Sequence, residues 1–327
     1  MLVSIPREWV KNADLKKGSV VSIEESSDGG LLIYPMKSND DKPDKEIEIP
    51  NPSRFGSEKI PSEITAAYLL GYDRIKVKGE QRISPSDRER IVASLKRLIG
   101  LEIVEEDGRS ITSQFLVDNT AVEPSKIFRQ INSLVRSMIS DTLKQLTSGE
   151  STPFHSISQR DDEVDRLHFL LVRLIRSAVY DPRAAGKYGL TTIDCLDYRV
   201  AANSLETAGD YAVELSNTVP DIGSIGRNIQ NQLAEITELL DVIQDNATRS
   251  FLGKDFAMAQ SVFKDYARLE GILKNFRILV KSLPNLLHLA ETIERIARCE
   301  HDIADLVSPL APAYRYTSSR EKVKAIR

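Results

Sequence analysis

The chain has 327 residues, of which 41% are hydrophobic and 28% charged, so it has enough apolar material for a sizeable core and a length typical of two or three domains. Its formal net charge of -4 excludes a global basic field directed at nucleic acid, and any such contact must come from a local patch. Cys195 and Cys299 match neither a CxxC nor a zinc-knuckle spacing. We therefore expect two buried thiols in a reducing cytoplasm.

No segment of the sequence predicts export or membrane insertion. Met1 leads directly into Pro6 and Arg7 without the apolar stretch of a signal peptide. The longest apolar runs, such as LHFLLVRLIR in residues 167–176, are short and interrupted by arginine. We expect a cytoplasmic protein that does not insert into a membrane.

The N-terminal residues 1–36 predict a small β unit. MLVSIPREWV predicts a short strand followed by a proline-started helical turn, and residues 14–18 predict a chain reversal. Residues 19–23 are rich in β-branched side chains and predict a strand, and Asp28-Gly29-Gly30 predicts the hairpin turn into a second strand at 31–34. A unit of this size cannot form a core alone, so we expect it to dimerise or dock.

The string IPREWVKNADLKKGSVVSIEESSDGGLLIYP, residues 5–35, resembles the SpoVT-AbrB swapped-hairpin domain. The resemblance implies an intertwined homodimer that binds DNA through basic residues near the helical turn. In this chain those residues are Arg7, Lys11, Lys16 and Lys17, which would contact phosphates. Acidic residues are interspersed in the same stretch, so the alternative is a hairpin that only dimerises.

The middle of the chain predicts a connector and a small α/β domain. Residues 37–58 are expected to form an exposed linker, because residues 37–53 are charged and rich in proline. Within residues 59–122 we expect a helix capped by Ser62, a strand at 74–78, a helix from Ser84-Pro85 to 99, and two strands around Asp107-Gly108. This domain contains no catalytic constellation, and its glutamates at 102, 105 and 106 predict solvated strand positions.

Apolar residues recur at helical spacing through the second half, which makes the fold class mainly α. Short breaks divide it into six helices, near 124–147, 156–180, 189–218, 225–248, 255–282 and 285–307. Residues 206–219 align without gaps with residues 294–307. We therefore predict duplicated three-helix bundles, at 123–220 and 221–310, followed by a tail at 311–327.

Two acidic pairs on neighbouring predicted helices carry the most chemical information. Asp161 and Asp165 form one pair, and Glu206 and Asp210 form the other. A separation of four positions places both carboxylates of a pair on one helix face, where like charges repel. If the two faces meet, the four carboxylates need a cation or protons, and hard or borderline metals take carboxylate ligands. The alternative is a solvated acidic face.

The helical half is also similar to the PhoU family, whose fold is two three-helix bundles with E/D-x-x-x-D motifs. The resemblance rests on DDEVDRLHFLLVRLIR, SLETAGDYA and ETIERIARCEHDIADLV, at residues 161–176, 204–212 and 291–307. It implies a cluster of divalent or trivalent metal, such as iron, zinc or magnesium. The acids that would bind this metal are Asp161, Asp165, Glu206 and Asp210, with Asp162 as the alternative to Asp161.

The second bundle departs from the PhoU pattern. Glu294 is present, but Arg298 stands where the family has an aspartate, and Phe263 and Ala267 occupy the acidic positions of the first motif helix. We expect the second site to be lost and Arg298 to neutralise Glu294 on its own helix.

Enzymatic motifs are missing from the sequence. The acid-x-x-His spacing of di-iron bundles occurs once, at Asp165 and His168, and neither a GxSxG motif nor a P-loop is present. We expect no enzyme. The resemblances imply a phosphate-responsive, homodimeric, DNA-binding transcriptional regulator of phosphate uptake. The alternative is an adaptor that restrains a phosphate transporter or a phosphate-signalling protein, with the N-terminal domain only dimerising.

Overall fold

The computed structural model describes residues 4–25, 30–35, 45–51, 59–117, 122–148 and 154–309. The chain divides into two compact units, one of residues 1–44 with 309–327 and one of residues 45–308.

The N-terminal unit contains a short helix and a β-hairpin. Helix α1 (Arg7–Asn12) follows Pro6, and strands β1 (Val21–Glu25) and β2 (Leu31–Pro35) pair antiparallel with Val21 opposite Pro35. Between α1 and β1 the backbone takes positive φ at Asp14 and Gly18, which produces the predicted chain reversal. The predicted helical turn and hairpin are confirmed. Residues 1–3 of the predicted first strand and hairpin residues 26–29 lie outside the described part of the chain.

The second unit begins with a four-stranded sheet and two helices. These elements are β3 (Glu46–Asn51), α2 (Ile60–Leu69), β4 (Arg74–Gly79), α3 (Pro85–Lys96), β5 (Leu101–Glu106) and β6 (Ser110–Phe115). The strand order is β3-β4-β6-β5, with β3 parallel to β4 and the other pairs antiparallel. Ser84 caps α3 by accepting a hydrogen bond from the backbone N–H of Asp87 at 3.1 Å, as its position before Pro85 predicts.

The predicted linker at 37–58 is wrong in part, because residues 46–51 within it form strand β3. Its sequence EIEIPN alternates charged and apolar residues, so Ile49 is buried in the core while Glu48 on the other face is exposed. Charged and apolar residues alternate here over only a few positions, which is enough for an edge strand. The prolines and charges of the surrounding stretch made this alternation hard to recognise in the sequence. The α/β domain therefore begins at Glu46 and not at residue 59.

The predicted long helices of the second half are all present. They are α4 (Pro124–Thr147), α5 (Phe154–Tyr180), α7 (Thr192–Thr218), α8 (Arg227–Gly253), α9 (Phe256–Leu279) and α10 (Pro284–Asp305). A short helix, α6 (Pro182–Tyr188), occupies the connection after α5, where the sequence predicted only a break. In the described part of the chain, no helix combines the length and apolarity needed to cross a membrane.

The six long helices pack as two sets of three. Helices α4, α5 and α7 contact one another, as do α8, α9 and α10, and the sets join through α7 against α10 and α4 against α8. Helices α7 and α10 thus take equivalent places, which confirms the duplication predicted from residues 206–219 and 294–307. Cys195 and Cys299 are buried free thiols, and burial raises the pKa of Cys299 to about 12.

Candidate functional site

The four predicted acids lie where α5 packs against α7. Asp161 and Asp165 are one turn apart on α5, and Glu206 and Asp210 are one turn apart on α7. We call these four residues the acid cluster. The register between the two helices is fixed nearby, where the ring Nδ1 of buried His168 lies 3.1 Å from the carbonyl oxygen of Ala202.

Gly209 lets the two helices approach closely beside the acid cluster. A Cβ atom added at Gly209 would lie 3.3 Å from the Asp161 Oδ1 atom and 3.3 Å from the Val164 Cγ1 atom. These separations are tighter than ordinary van der Waals contact, so a Cβ atom at this position would require the Asp161 and Val164 side chains to shift by a few tenths of an ångström. The absence of a side chain at Gly209 thereby brings the Asp161 carboxylate against α7.

Electrostatics show that the four carboxylates share one neighbourhood. Burial, followed by the charges of Asp165 and Asp210, raises the pKa of Asp161 to about 6. Burial and the charges of Asp210 and Asp165 also raise the pKa of Glu206, and burial with the charge of Asp165 raises the pKa of Asp210. Each ionised acid therefore disfavours ionisation of its neighbours.

Asp161, and not its neighbour Asp162, belongs to the acid cluster. Asp161 is half-buried beside Gly209, whereas Asp162 is exposed, since consecutive helical residues point about 100° apart. Asp165 and Glu206 are partly buried, and Asp210 is exposed. The cluster thus lies on the outer face of the first bundle, accessible to solvent from one side.

A cation from the α/β domain contacts the acid cluster. Arg97, the residue directly after α3, donates from Nη2 to the Asp165 Oδ2 atom at 2.8 Å. Asp165 retains only about a quarter of its side-chain exposure, while the Arg97 side chain is mostly exposed. Arg199 on α7 adds positive charge that lowers the pKa of Glu206, against the larger effects of burial and like charge. The cluster is therefore partly compensated within the chain itself.

The arrangement does not form a ready metal centre. Among the described residues, no group of three or more histidine, cysteine, aspartate or glutamate side chains is placed to hold a metal ion. His168, the histidine of the acid-x-x-His spacing, is buried and engaged with the backbone of α7. As they stand, the residues of the acid cluster do not fit a bound metal, and the metal site stays a prediction.

A buried arginine joins the same helix α5 to the α/β domain. Arg173 is 1% exposed and donates from Nη1 to the carbonyl oxygens of Tyr68 and Tyr72, at 2.6 and 2.9 Å. Its Nη2 atom donates to the Asp73 Oδ1 atom at 3.1 Å, and its guanidinium lies 3.9 Å from the ring centroid of Phe115. Burial lowers the pKa of Arg173, and this set of acceptors compensates the buried charge.

The corresponding face of the second bundle is arranged differently. Glu294 on α10 is paired with Arg277 on α9, and not with Arg298 as its spacing predicted. The Phe263 ring lies 4.9 Å from the ring of His301, centroid to centroid, where the PhoU pattern would place an acid. A neighbouring helix supplies the counter-ion because α9 and α10 pack directly against each other.

The predicted DNA-binding residues lie in the N-terminal unit. Arg7 and Lys11 are on α1, and Lys16 and Lys17 are in the turn that leads to β1. All four side chains are exposed, as phosphate contacts require.

Sequence analysis missed Arg97 and Arg173. Arg173 had a recognisable signal, because it interrupts the apolar run LHFLLVRLIR between Val172 and Leu174, both of which are buried. A charged residue inside such a run predicts a buried polar contact. Arg97 carries no comparable signal, since its partner lies 68 positions away in sequence.

Two family models match separate parts of the chain. Residues 128–219 match the PhoU domain family, and residues 3–41 match the family of the antidote-toxin recognition protein MazE, a bacterial antitoxin. The predicted PhoU resemblance is thereby confirmed over the stretch that contains the acid cluster, and the N-terminal region is MazE/AbrB-like. The solved structure of PhoU from Pseudomonas aeruginosa is 16% identical, with a TM-score of 0.46 over 56% of this chain and 93% of that chain. No curated protein matches the sequence significantly.

Proposed function

We propose that this protein is a phosphate-responsive transcriptional regulator of phosphate uptake. The observation that carries the proposal is the presence of a MazE/AbrB-like region and a PhoU-like bundle on one chain. In this proposal a dimer of N-terminal units binds DNA in the cytoplasm, and the helical body senses phosphate status. The protein acts by binding and not as an enzyme.

The N-terminal lysines provide the direct test of DNA binding. Replacing Lys11, Lys16 and Lys17 with glutamate should weaken binding to random duplex DNA and make the affinity less dependent on salt. The plot of log affinity against log salt has a negative slope, and each lost phosphate contact reduces the magnitude of that slope by about 0.9. A fluorescence anisotropy titration at several salt concentrations measures both quantities. Equal binding by the wild type and this variant would contradict a DNA-binding role.

A matched control separates the local patch from the total charge. The triple variant Lys264→Glu, Lys274→Glu and Lys281→Glu changes the net charge by the same amount on exposed positions of the second bundle. It should bind DNA as the wild type does, since these residues lie in the helical body. If both triple variants lose DNA binding equally, binding depends on the total charge of the protein and not on the N-terminal lysines.

An exposed apolar stripe favours the second candidate function, an adaptor that restrains a phosphate transporter or a phosphate-signalling protein. Ile193, Leu196 and Val200 recur along one face of α7 and are 52%, 62% and 50% exposed. Such a face is suited to contact with another protein. Leu196→Ser with Val200→Ser should relieve repression of phosphate uptake in the host if the adaptor function operates, and should leave DNA binding unchanged. Unaltered uptake would contradict it.

The metal prediction has a separate test. Elemental analysis of the purified protein, with Asp165→Ala and Asp210→Ala as variants, compares the metal content, and the prediction from the sequence requires metal in the wild type and its loss in both variants. Equal metal content in all three proteins would exclude the acid cluster as its site.

A further inference from the structure

We propose that the corner between α9 and α10 attaches the helical body peripherally to an anionic phospholipid surface. We call this corner, residues 274–283, the basic corner. It lies at the end of α9, where a four-residue connection leads into α10 and the two helices pack against each other. Attachment through the basic corner is independent of DNA binding by the N-terminal unit.

Three large apolar side chains are exposed at the basic corner. Ile278 and Leu279, at the end of α9, are 65% and 39% exposed, and Leu283, directly before α10, is 43% exposed. Single exposed apolar residues are common on protein surfaces, but a group of them so close together marks a binding surface.

The backbone of the connection keeps Leu283 at the surface. Its N–H donates to the carbonyl oxygen of Val280 at 2.8 Å. Its own carbonyl oxygen accepts from the N–H groups of Leu286 and Leu287, both at 3.1 Å. The side chains of Val280 and Leu286 are buried and anchor the connection to the core. The exposure of Leu283 is therefore built into the corner.

The chain around the basic corner is positively charged. Residues 271–285 contain Lys274, Arg277 and Lys281 and no acid. Both lysines are exposed, whereas the arginine is paired with Glu294. Two lysine side chains are thus presented at the surface beside the exposed apolar groups.

The lysines flank the exposed isoleucine. Lys274 and Ile278 are one turn apart on one face of α9, and Lys281 follows in the connection. One acid borders the corner, because the carbonyl oxygen of Asp221 accepts from the Asn285 Nδ2 atom at 2.8 Å. With two lysines against this acid, the surface keeps a positive charge.

This combination of side chains is complementary to an anionic membrane surface. Lysine lays its hydrocarbon stem along apolar groups and keeps its ammonium group among phosphate headgroups, while neighbouring apolar side chains enter the boundary of the acyl chains. A lipid surface deforms around a corner at the end of two helices, whereas a protein partner must offer a matching shape. The exposed α7 stripe differs, because Asp197 lies beside Leu196 and disfavours an anionic surface there.

Co-sedimentation with lipid vesicles tests the apolar part of the surface. The whole chain should bind vesicles of equal parts phosphatidylcholine and phosphatidylglycerol, and bind phosphatidylcholine vesicles much more weakly. Ile278→Ser with Leu283→Ser should weaken binding at least about tenfold, because these side chains no longer enter the membrane. Leu196→Ser with Val200→Ser is the matched control on α7 and should bind as the wild type does. No binding by the wild type, or an equal loss in both double variants, would overturn the proposal.

A second pair of variants tests the charge. Lys274→Glu with Lys281→Glu should weaken vesicle binding at least about 25-fold, because each lysine near an anionic surface contributes about a factor of five. Lys96→Glu with Lys264→Glu makes the same change in net charge at other exposed positions and should bind nearly as the wild type does. Equal losses in both would overturn the proposal. Loss only in the N-terminal triple lysine variant would also overturn it, because the membrane contact would then lie in the N-terminal unit.

DNA binding by the same variants separates this surface from the regulatory function. The basic-corner variants keep the N-terminal lysines, so they should bind duplex DNA as the wild type does while losing vesicle binding. Failure of DNA binding in the wild type would contradict the regulatory function and leave the vesicle result standing. A basic-corner variant that lost both activities together would have a general defect, and that outcome would overturn the proposal.

Discussion

The two three-helix bundles differ in the origin of the cations that pair with their acidic side chains. In the first bundle, acids from α5 and α7 accumulate at one face, and the hydrogen-bonding cation, Arg97, comes from a separate domain. In the second bundle, Glu294 is paired with Arg277 from the adjacent helix. Aromatic packing of Phe263 against His301 lies close by.

This difference shows that the two halves of a duplicated fold can draw the cations that pair with their acids from different places. A local pair such as Arg277 and Glu294 is complete within its own bundle and needs no other group. The acid cluster, in contrast, receives its hydrogen-bonding cation from the α/β domain.

The largest effect is expected where the first bundle meets the α/β domain. Arg173→Met should lower the free energy of unfolding by about 4 kcal/mol, because it removes the buried guanidinium that donates to the carbonyls of Tyr68 and Tyr72 and to the Asp73 carboxylate. Arg277→Met in the second bundle should cost about 1 kcal/mol or less, since that pair is partly exposed. Urea denaturation measures both variants, and equal losses would contradict the contrast.

The next effect concerns a buried carboxylate of the second bundle. Glu300 on α10 is fully buried and accepts from the Gln244 Nε2 atom at 3.3 Å, and burial raises its pKa to about 8. Since the pKa in the folded state exceeds that of an exposed glutamate, the stability contributed by the protonated group is complete below about pH 4 and is lost as the pH rises through 8.

Glu300→Gln should therefore remove this loss. The variant should be more stable than the wild type at pH 9 by on the order of 3 kcal/mol, and equal to it near pH 4. Denaturant midpoints across this range check the prediction. A pH-independent difference would show that Glu300 has the same pKa in the folded and unfolded states and would contradict the prediction.

A smaller effect on the free energy of unfolding should have opposite signs for the acid cluster of the first bundle and for Glu294 of the second bundle. At pH 7.5 with EDTA, Asp161→Asn should raise the free energy of unfolding by about 1 kcal/mol, after allowance for solvent screening of a half-exposed group, because it reduces repulsion in the acid cluster. Glu294→Gln should lower it slightly by weakening the pair with Arg277. Loss of stability in both variants would contradict the contrast.

The smallest effect compares two helical glycines. Gly271→Ala on α9 meets nothing within 4 Å and should stabilise the protein by about 0.5–1 kcal/mol through helix propensity. Gly209→Ala gains the same propensity but brings its Cβ atom to 3.3 Å from Asp161 and Val164, so it should give a net loss. Thermal unfolding compares them, and an equal gain at both positions would show that α5 and α7 adjust without strain.

Local patterns predicted most of the elements. Helical periodicity located the long helices of the second half, Ser84-Pro85 located the start of α3, and Asp107-Gly108 located the turn between β5 and β6. The same local logic failed at β3, because proline and charge obscured a short alternation, and at α6, because seven residues carry too little periodicity.

By itself the sequence determined which acids share a helix face, because a separation of four residues fixes that geometry within one helix. It also determined that the chain carries two similar bundles, through the alignment of 206–219 with 294–307. Only the tertiary structure decided which cation meets each carboxylate. Arg97 reaches Asp165 across 68 positions, and Glu294 is paired with Arg277 and not with Arg298. Counter-ion choice depends on which elements pack side by side, and no local pattern encodes that.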